Sequence, residues 1–338
     1  MKEYCVAVTG ALGAVGQEML SILESRQFPI KKLKLLDIAE NVGKTVKFCG
    51  KEVSVELSEP NAFKEVDIAL FAVSDNVSKK LAPEAVKNGA IVIDNSSTWR
   101  MDPEVPLVVP EVNPEVLRQH KGIIANPNCS TIIAMVPLKP LHEFAGLKRI
   151  IASTYQAVSG AGIAGIGELK DQSRNVLDNK PIAPKVFAHQ IAFNLIPHID
   201  YFEENAYTHE EMKMFREGRK ILGLPELMVN CTCARVPVVR SHSESITIET
   251  ERPITPDQAR EVLNKAPGLK VVDRPENNEY PMPVDTANQD LIFVGRIRED
   301  ISSTGNGLTF WCCGDQVRKG AALNAVQIAE TMIKMELI

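Results

Sequence analysis

The sequence predicts an α/β chain in two parts: a parallel sheet covered by helices on both faces, followed by an α+β part with a largely antiparallel sheet. Three observations carry this reading. Over the first 130 residues short apolar runs alternate with helix-like segments, a glycine-rich turn joins the first run to the first helical pattern, and from about Leu147 the runs lengthen with fewer helices between them. At 338 residues the chain is longer than one hydrophobic core commonly serves, so two domains are expected. The first is placed at residues 1–130, with 315–338 packing back onto it, and the second at 131–314.

Residues 4–8 form an apolar strand that breaks into Gly10-Ala11-Leu12-Gly13-Ala14-Val15-Gly16, after which helical spacing runs to Ser25. Glycines at such a turn let the backbone approach a pyrophosphate, which the helix N-terminus holds. A second strand over 33–36 ends at Asp37, about 20 residues past the last glycine, where a carboxylate meets a ribose. Strand, loop, helix and acid in that order predict a Rossmann-type dinucleotide-binding domain. Further apolar runs at 68–73, 90–93, 107–109 and 123–125 read as buried strands, and 77–87, which carries Pro83, as a helix. Ligands of such sheets sit at the carboxyl ends of the strands, where Asn95-Ser96-Ser97 and Cys129 fall. In the second part, 149–158, 191–199, 228–239, 245–251, 291–298 and 308–313 are expected strands, 165–177 and 208–222 expected helices, and 315–337 a terminal amphipathic helix.

Cys129 stands in Ile124-Ala-Asn-Pro-Asn-Cys129-Ser-Thr-Ile-Ile133, where a strand runs through a turn into a helical pattern. A thiol at a helix N-terminus lies in the positive end of the backbone dipole, beside amides with no intrahelical partner, which prepares it as a nucleophile. The competing reading is a small buried core residue. The net charge of −5, with no basic block, gives no reason to expect nucleic acid or an acidic membrane as partner, and no apolar run is long enough to span a bilayer. Glu3 and the glycines after Thr9 suit a strand and loop rather than a signal peptide, so a cytoplasmic enzyme is expected. The seven cysteines include Cys231, Cys233, Cys312 and Cys313, whose spacings fit no standard zinc pattern; core thiols, and no metal, are expected.

Taken together, Gly10 to Gly16, Asn95-Ser-Ser-Thr-Trp-Arg-Met101, Pro127-Asn-Cys-Ser-Thr131, Gln156-Ala-Val-Ser-Gly-Ala-Gly162, Glu210-Glu-Met-Lys213, Arg235-Val-Pro-Val238 with His242-Ser243, and Asp315-Gln316 resemble the aspartate-β-semialdehyde dehydrogenase family from end to end. The resemblance implies reductive dephosphorylation of β-aspartyl phosphate to aspartate semialdehyde with NADPH, through a thioester on Cys129, in the biosynthesis of lysine, diaminopimelate, threonine, methionine and isoleucine. It makes His242 the acid/base residue, whose imidazole can accept the thiol proton and return one to the substrate oxygen. It puts Arg100 and Lys213 on the phosphate, Arg235 on the α-carboxylate, Glu210 on the ammonium group, and Gln156 in orienting the substrate. It adds Asn95, Ser159, Gly160 and Gln316 to the cofactor contacts, beside Gly10, Leu12, Gly13, Ala14, Val15, Gly16, Asp37, Glu40 and Asn41. A homodimer or homotetramer is implied as well.

The sequence departs from the family after the second strand. Ile38 and Glu40 stand where Ser and Arg commonly hold the 2′-phosphate of NADP, so a weakened NADP preference and real use of NAD are expected, with Asp37 accepting from a free ribose diol. Leu12 replaces the usual Thr of the glycine loop. The rival readings are an N-acetylglutamyl-phosphate reductase, in which Glu210 would have no amine to meet, a dinucleotide-binding sensor, which needs neither Cys129 nor His242, and a cysteine hydrolase, which leaves the glycine loop unexplained.

Overall fold

The computed structural model describes residues 2–303 and 306–338, which form two compact units. One runs to Asn128 and resumes at Ala321; the other is Cys129–Gly320. The sequence expectation put these crossings two and six residues away, after 130 and at 315.

The first unit contains β1 (Tyr4–Thr9), α1 (Ala14–Ser25), β2 (Ile30–Asp37), β3 (Thr45–Phe48), β4 (Lys51–Leu57), β5 (Ile68–Phe71), α2 (Asp75–Lys87), β6 (Ile91–Asp94) and β7 (Ile123–Ala125). The strands lie in the order β3-β4-β2-β1-β5-β6-β7, parallel throughout except for the β3/β4 hairpin. Both faces are covered, which is why β1 reads as an unbroken apolar run: Tyr4, Val6 and Val8 enter one core, Cys5 and Ala7 the other. The order reverses beside β1, with β2 on one side and β5 on the other, and the glycine turn leaves the carboxyl end of β1 at that point.

The second unit contains α3 (Cys129–Ala145), β8 (Leu147–Gln156), α4 (Gly162–Leu177), α5 (His209–Leu222), β9 (Met228–Arg235), β10 (His242–Thr250), α6 (Pro256–Lys265), β11 (Leu269–Val271), α7 (Pro283–Thr286), β12 (Ile292–Glu299) and β13 (Gly307–Gly314). Its sheet has the order β11-β12-β13-β10-β8-β9. The three central pairings are antiparallel and the outer two, β11/β12 and β8/β9, are parallel, so the sheet is mixed. After Gly320 the chain returns to the first unit as α8 (Leu323–Lys334), whose Val326, Ile328, Ala329 and Met332 pack in the same core as α1.

Several expected elements differ. Residues 107–109 make only an isolated bridge, Leu107 to Ala125, and are buried as a loop. Residues 191–199 are not a strand: Ile191, Ala192 and Ile196 are apolar because they pack on Val158 and on Leu169 of α4, and only Ile196 bridges, to Arg235. The terminal helix does not begin at 315. The Asp315 carboxylate accepts from the N–H groups of Val317 and Arg318 at 3.0 Å, and a π-turn over Arg318–Ala322 precedes α8. The β3/β4 hairpin, α6 and β11 were not anticipated, although Thr255-x-x-Gln258 forms a capping box at the start of α6. Helix α3 runs on through Pro137 and Pro140, and α2 through Pro83. Among the described residues no helix is long and apolar enough to cross a membrane.

Candidate active site

In the second unit, Cys129 opens α3, Gln156 closes β8, Arg235 closes β9 and His242 opens β10, so one end of the sheet gathers four of the expected site residues. Cys129 Sγ lies 3.6 Å from His242 Nε2. The other ring nitrogen, Nδ1, accepts a hydrogen bond from the backbone N–H of Ala157 at 3.1 Å. A neutral imidazole carries one proton, and the donor or acceptor role of each ring nitrogen follows from which of them holds it. The Gln156 amide nitrogen, which donates to Glu210 Oε1 at 3.1 Å, also stands 3.3 Å from Nε2, so N–H donors face both ring nitrogens. Complete burial, with the charge of Arg235 adding to it, pushes the His242 pKa down to about 3, so the ring is neutral at physiological pH. The expectation that His242 takes the thiol proton needs a free lone pair at Nε2. Cys129 Sγ and the Gln156 amide nitrogen are the groups on that side of the ring.

Gly320 was not singled out in the sequence, yet a side-chain carbon there would stand 3.0 Å from Cys129 Cβ, so its hydrogen is what leaves the thiol room. Gly160 is constrained in the same way: a side-chain carbon would fall 2.7 Å from an Arg235 guanidinium nitrogen. Arg235 is buried and donates to Ala157 O at 2.8 Å. Ser159 pairs with the Gln316 amide, whose Oε1 accepts from Ser241 N at 2.8 Å. Asp315, fully buried, holds that segment through Arg240 at 2.5 Å.

Glu210 and Lys213 are joined. Helix α5 carries both, and its capping box, Thr208 with Glu211, fixes its start, while Glu211 Oε1 accepts from Cys233 N at 3.0 Å and ties it to β9. Glu210 Oε2 accepts from Lys213 Nζ at 3.0 Å, and Lys213 Nζ also donates to Asp200 Oδ2 at 2.9 Å. Burial works against the lysine's charge, but Glu210 and Asp200 more than offset it and hold its pKa above the ordinary value.

In the first unit, Asn95 and Arg100 lie on the loop after β6. Asp94, whose carboxyl is shifted upward by burial, anchors Ser96 and accepts from Ser78 at 2.9 Å, while Asp75 Oδ2 accepts from Ser97 at 2.7 Å and Ser78 from Trp99 Nε1 at 2.9 Å. On that frame Arg100 is buried and donates to Asn95 O at 2.7 Å. Asn95 Oδ1 accepts from Asn126, which in turn accepts from Asn324 of α8 at 2.7 Å, a polar ladder the sequence did not disclose.

The glycine turn has the shape a dinucleotide needs. Gly10 has φ +78°, and a side-chain carbon there would meet Ala72 O at 2.2 Å; one at Gly16 would meet Gly10 O at the same distance. Gly13 precedes the first turn of α1, which Ala14 and Val15 begin, so this turn and helix end fit a pyrophosphate. Asp37 is committed to the chain: Oδ2 accepts from Leu12 N, and Oδ1 from Ile38 N and Asn41 Nδ2, each at 2.8 Å. It braces the glycine turn, and a ribose hydroxyl would share oxygens already in use. Ile38 and Glu40 are exposed, and Lys44, absent from the expected set, donates to Asn41 Oδ1 at 2.6 Å.

With a dinucleotide-type sheet in one unit and a thiol–imidazole pair in the other, the chain falls in the class of two-domain semialdehyde dehydrogenases. Residues 5–120 match the NAD binding domain of that class and residues 138–319 its dimerisation domain. The aspartate-semialdehyde dehydrogenases of Aquifex aeolicus and Bacillus subtilis are 54% and 48% identical to it, over 99% and 98% of each chain. The crystal structure of aspartate semialdehyde dehydrogenase II from Vibrio cholerae matches with a TM-score of 0.96 at 46% identity, covering 98% of this chain and 99% of that one, and the same enzyme has been solved complexed with ASA. The Candida albicans enzyme, solved with NADP, matches at 25% identity with a TM-score of 0.76 over 100% of both chains. The chain belongs to the aspartate-semialdehyde dehydrogenase family of NAD(P)-dependent oxidoreductases.

Proposed function

We propose that the protein interconverts aspartate semialdehyde and β-aspartyl phosphate, working in the cell in the reductive direction that feeds lysine, diaminopimelate, threonine, methionine and isoleucine synthesis. The observation that carries the mechanism is the Cys129 sulfur 3.6 Å from His242 Nε2, close enough for a proton to pass between them. In the oxidative direction His242 Nε2 takes the Cys129 thiol proton as the sulfur adds to the aldehyde carbon, and the imidazolium so formed donates a hydrogen bond to the alkoxide. A nicotinamide, when bound, would accept the hydride that leaves this carbon. Collapse of the alkoxide leaves a thioester on Cys129, phosphate oxygen attacks its carbonyl carbon, and the thiolate departs as the acyl phosphate forms. The proton returns from His242 to the sulfur as the thiolate departs, so the ring begins and ends the cycle neutral, as its burial favours.

Arg235 and Glu210, on facing elements, fit the α-carboxylate and α-ammonium of the substrate, with Gln156 beside His242 to orient it. Arg100 and Lys213 are the cations assigned to phosphate. Gly10 to Gly16, Asn41 and Asn95 are assigned to the cofactor, with Ser159, Gly160 and Gln316 toward its nicotinamide end. NADP is the family's cofactor. Exposed Ile38 and Glu40 weaken the hold on its 2′-phosphate, with Lys44, bonded to Asn41, a cation beside them to retain part of it, so NAD is used too. The second unit, which matches the dimerisation domain, is the proposed contact of a homodimer, and a protein with seven free thiols belongs in the reducing cytoplasm. Sedimentation showing a stable, active monomer would refute the dimer.

The test is phosphate-dependent reduction of NADP⁺ and NAD⁺ with aspartate semialdehyde, by the wild type and Cys129→Ala. Turnover is expected in the first and not in the second, with cofactor binding kept in both. Turnover in the mutant, or in neither protein, refutes the proposal.

A further inference from the structure

Nothing in the catalytic reading accounts for Asp200. It lies in the turn ahead of α5, takes a left-handed backbone with φ +71°, and is fastened there: its Oδ1 accepts from Tyr201 N at 3.0 Å, and Tyr201 O accepts from His209 N at 2.8 Å in the first turn of α5. Its other oxygen, Oδ2, holds Lys213 Nζ at 2.9 Å. A non-glycine residue in this region is uncommon, and Asp is among the few that tolerate it. The turn therefore aims one carboxylate oxygen at a lysine whose side chain is only 15% exposed.

Lys213 is thus gripped from both sides, by Asp200 and by Glu210, on two of its three N–H donors. The two carboxylates do not have the same work. Glu210 also accepts from Gln156 and, in the function proposed above, takes the ammonium group of the substrate, so its hold on Lys213 is shared once substrate binds. Asp200 has no such second duty. A lysine on a flexible four-carbon stem whose other partner is being shared needs a fixed one to stay in place.

We propose that Asp200 is a positioning residue for phosphate: it holds the Lys213 ammonium at the phosphate position while Glu210 turns to the substrate ammonium. The inference rests on Lys213 being a phosphate ligand. It makes the phosphate site sensitive to a residue that touches neither phosphate nor aldehyde.

The test is Asp200→Asn, which keeps an acceptor for Tyr201 N and tolerates the same backbone, but loses the charge and turns an NH₂ toward the ammonium. With inorganic phosphate varied at saturating aspartate semialdehyde and NADP⁺, the KM for phosphate is expected to rise about tenfold, the loss of one charge-assisted hydrogen bond, with a smaller change in kcat and in the KM for aldehyde. Asp200→Glu restores part of the loss. In a Lys213→Ala background, where phosphate KM is already raised, Asp200→Asn adds nothing further. A phosphate KM that is unchanged or lower in Asp200→Asn overturns the inference, as does an equal rise in the Lys213→Ala background, which marks a general structural effect. If Lys213→Ala itself leaves phosphate KM unchanged, the assignment of Lys213 to phosphate fails, and the role of Asp200 with it.

Discussion

The thiol end of the second unit and the ribose end of the first are built on opposite principles. Around Cys129 and His242 the site's polar groups are tied to other parts of the chain: Ala157 N meets the imidazole, Ala157 O holds Arg235, and Glu210 joins Gln156 to Lys213. At the ribose end the same economy stops at Asp37, which braces the glycine turn, while Ile38 and Glu40 stand in solvent. A fixed proton donor must be preorganised to act in a low-dielectric site. A cofactor's distal phosphate needs only a charge within reach, so that position tolerates exchange. The contrast implies that changes at the thiol end cost turnover, whereas changes at the ribose end redistribute preference between cofactors.

The largest effect is expected at His242. His242→Asn lowers kcat by about 10²- to 10⁴-fold in steady-state assays while cofactor affinity stays near the wild-type value. A loss confined to KM would break the comparison. Next comes Gly320→Ala, which presses a methyl group against Cys129 and is expected to lower kcat roughly ten- to hundredfold, with a small change in the thermal midpoint. An unaffected rate would show that the thiol has more freedom than its 3.0 Å neighbour allows. The double change Ile38→Ser with Glu40→Arg sharpens the other side: the ratio of kcat/KM for NADP⁺ over NAD⁺ should rise about tenfold, as one guanidinium meets the 2′-phosphate, with kcat scarcely moved. A strong NADP preference in the unmodified protein would contradict the weakened hold assigned to this segment.

A subtler effect lies in stability. The folded pKa of His242 is depressed to about 3, below the ordinary value of 6.5, so its contribution to stability is fully present above that ordinary value and is lost as pH falls toward 3. Acid unfolding monitored between these limits should be less steep in His242→Asn than in the wild type. Equal slopes would mean the ring is not buried neutral.

The chemistry-bearing residues were legible because local sequence fixes them: a glycine turn between strand and helix, a cysteine at a helix start, Glu210 and Lys213 three apart on one helix. What stayed hidden depends on contacts made across long sequence separations. Nothing near Ala157 marks its amide as the group that meets His242 Nδ1, since the two lie 85 residues apart. Asp200 meets Lys213 only through a left-handed turn, and Gly320 meets Cys129 only through the π-turn that replaces an expected helical start. Asp37 was legible as the acid after the second strand, but its bond to Leu12 N, which makes it a brace, was not. Residues 191–199 misled for the opposite reason: burial against α4 leaves the same apolar signature as a strand.

The central claim is that the acyl group passes between phosphate and nicotinamide through Cys129. Rapid acid quench after mixing the enzyme with aspartate semialdehyde and NADP⁺ in the absence of phosphate, read by peptide mass spectrometry alongside absorbance, tests it directly. The expected result is a burst of NADPH stoichiometric with enzyme and an aspartyl adduct on the Cys129 peptide that phosphate discharges. A burst without the adduct, an adduct on another residue, or the same burst from Cys129→Ala would contradict it.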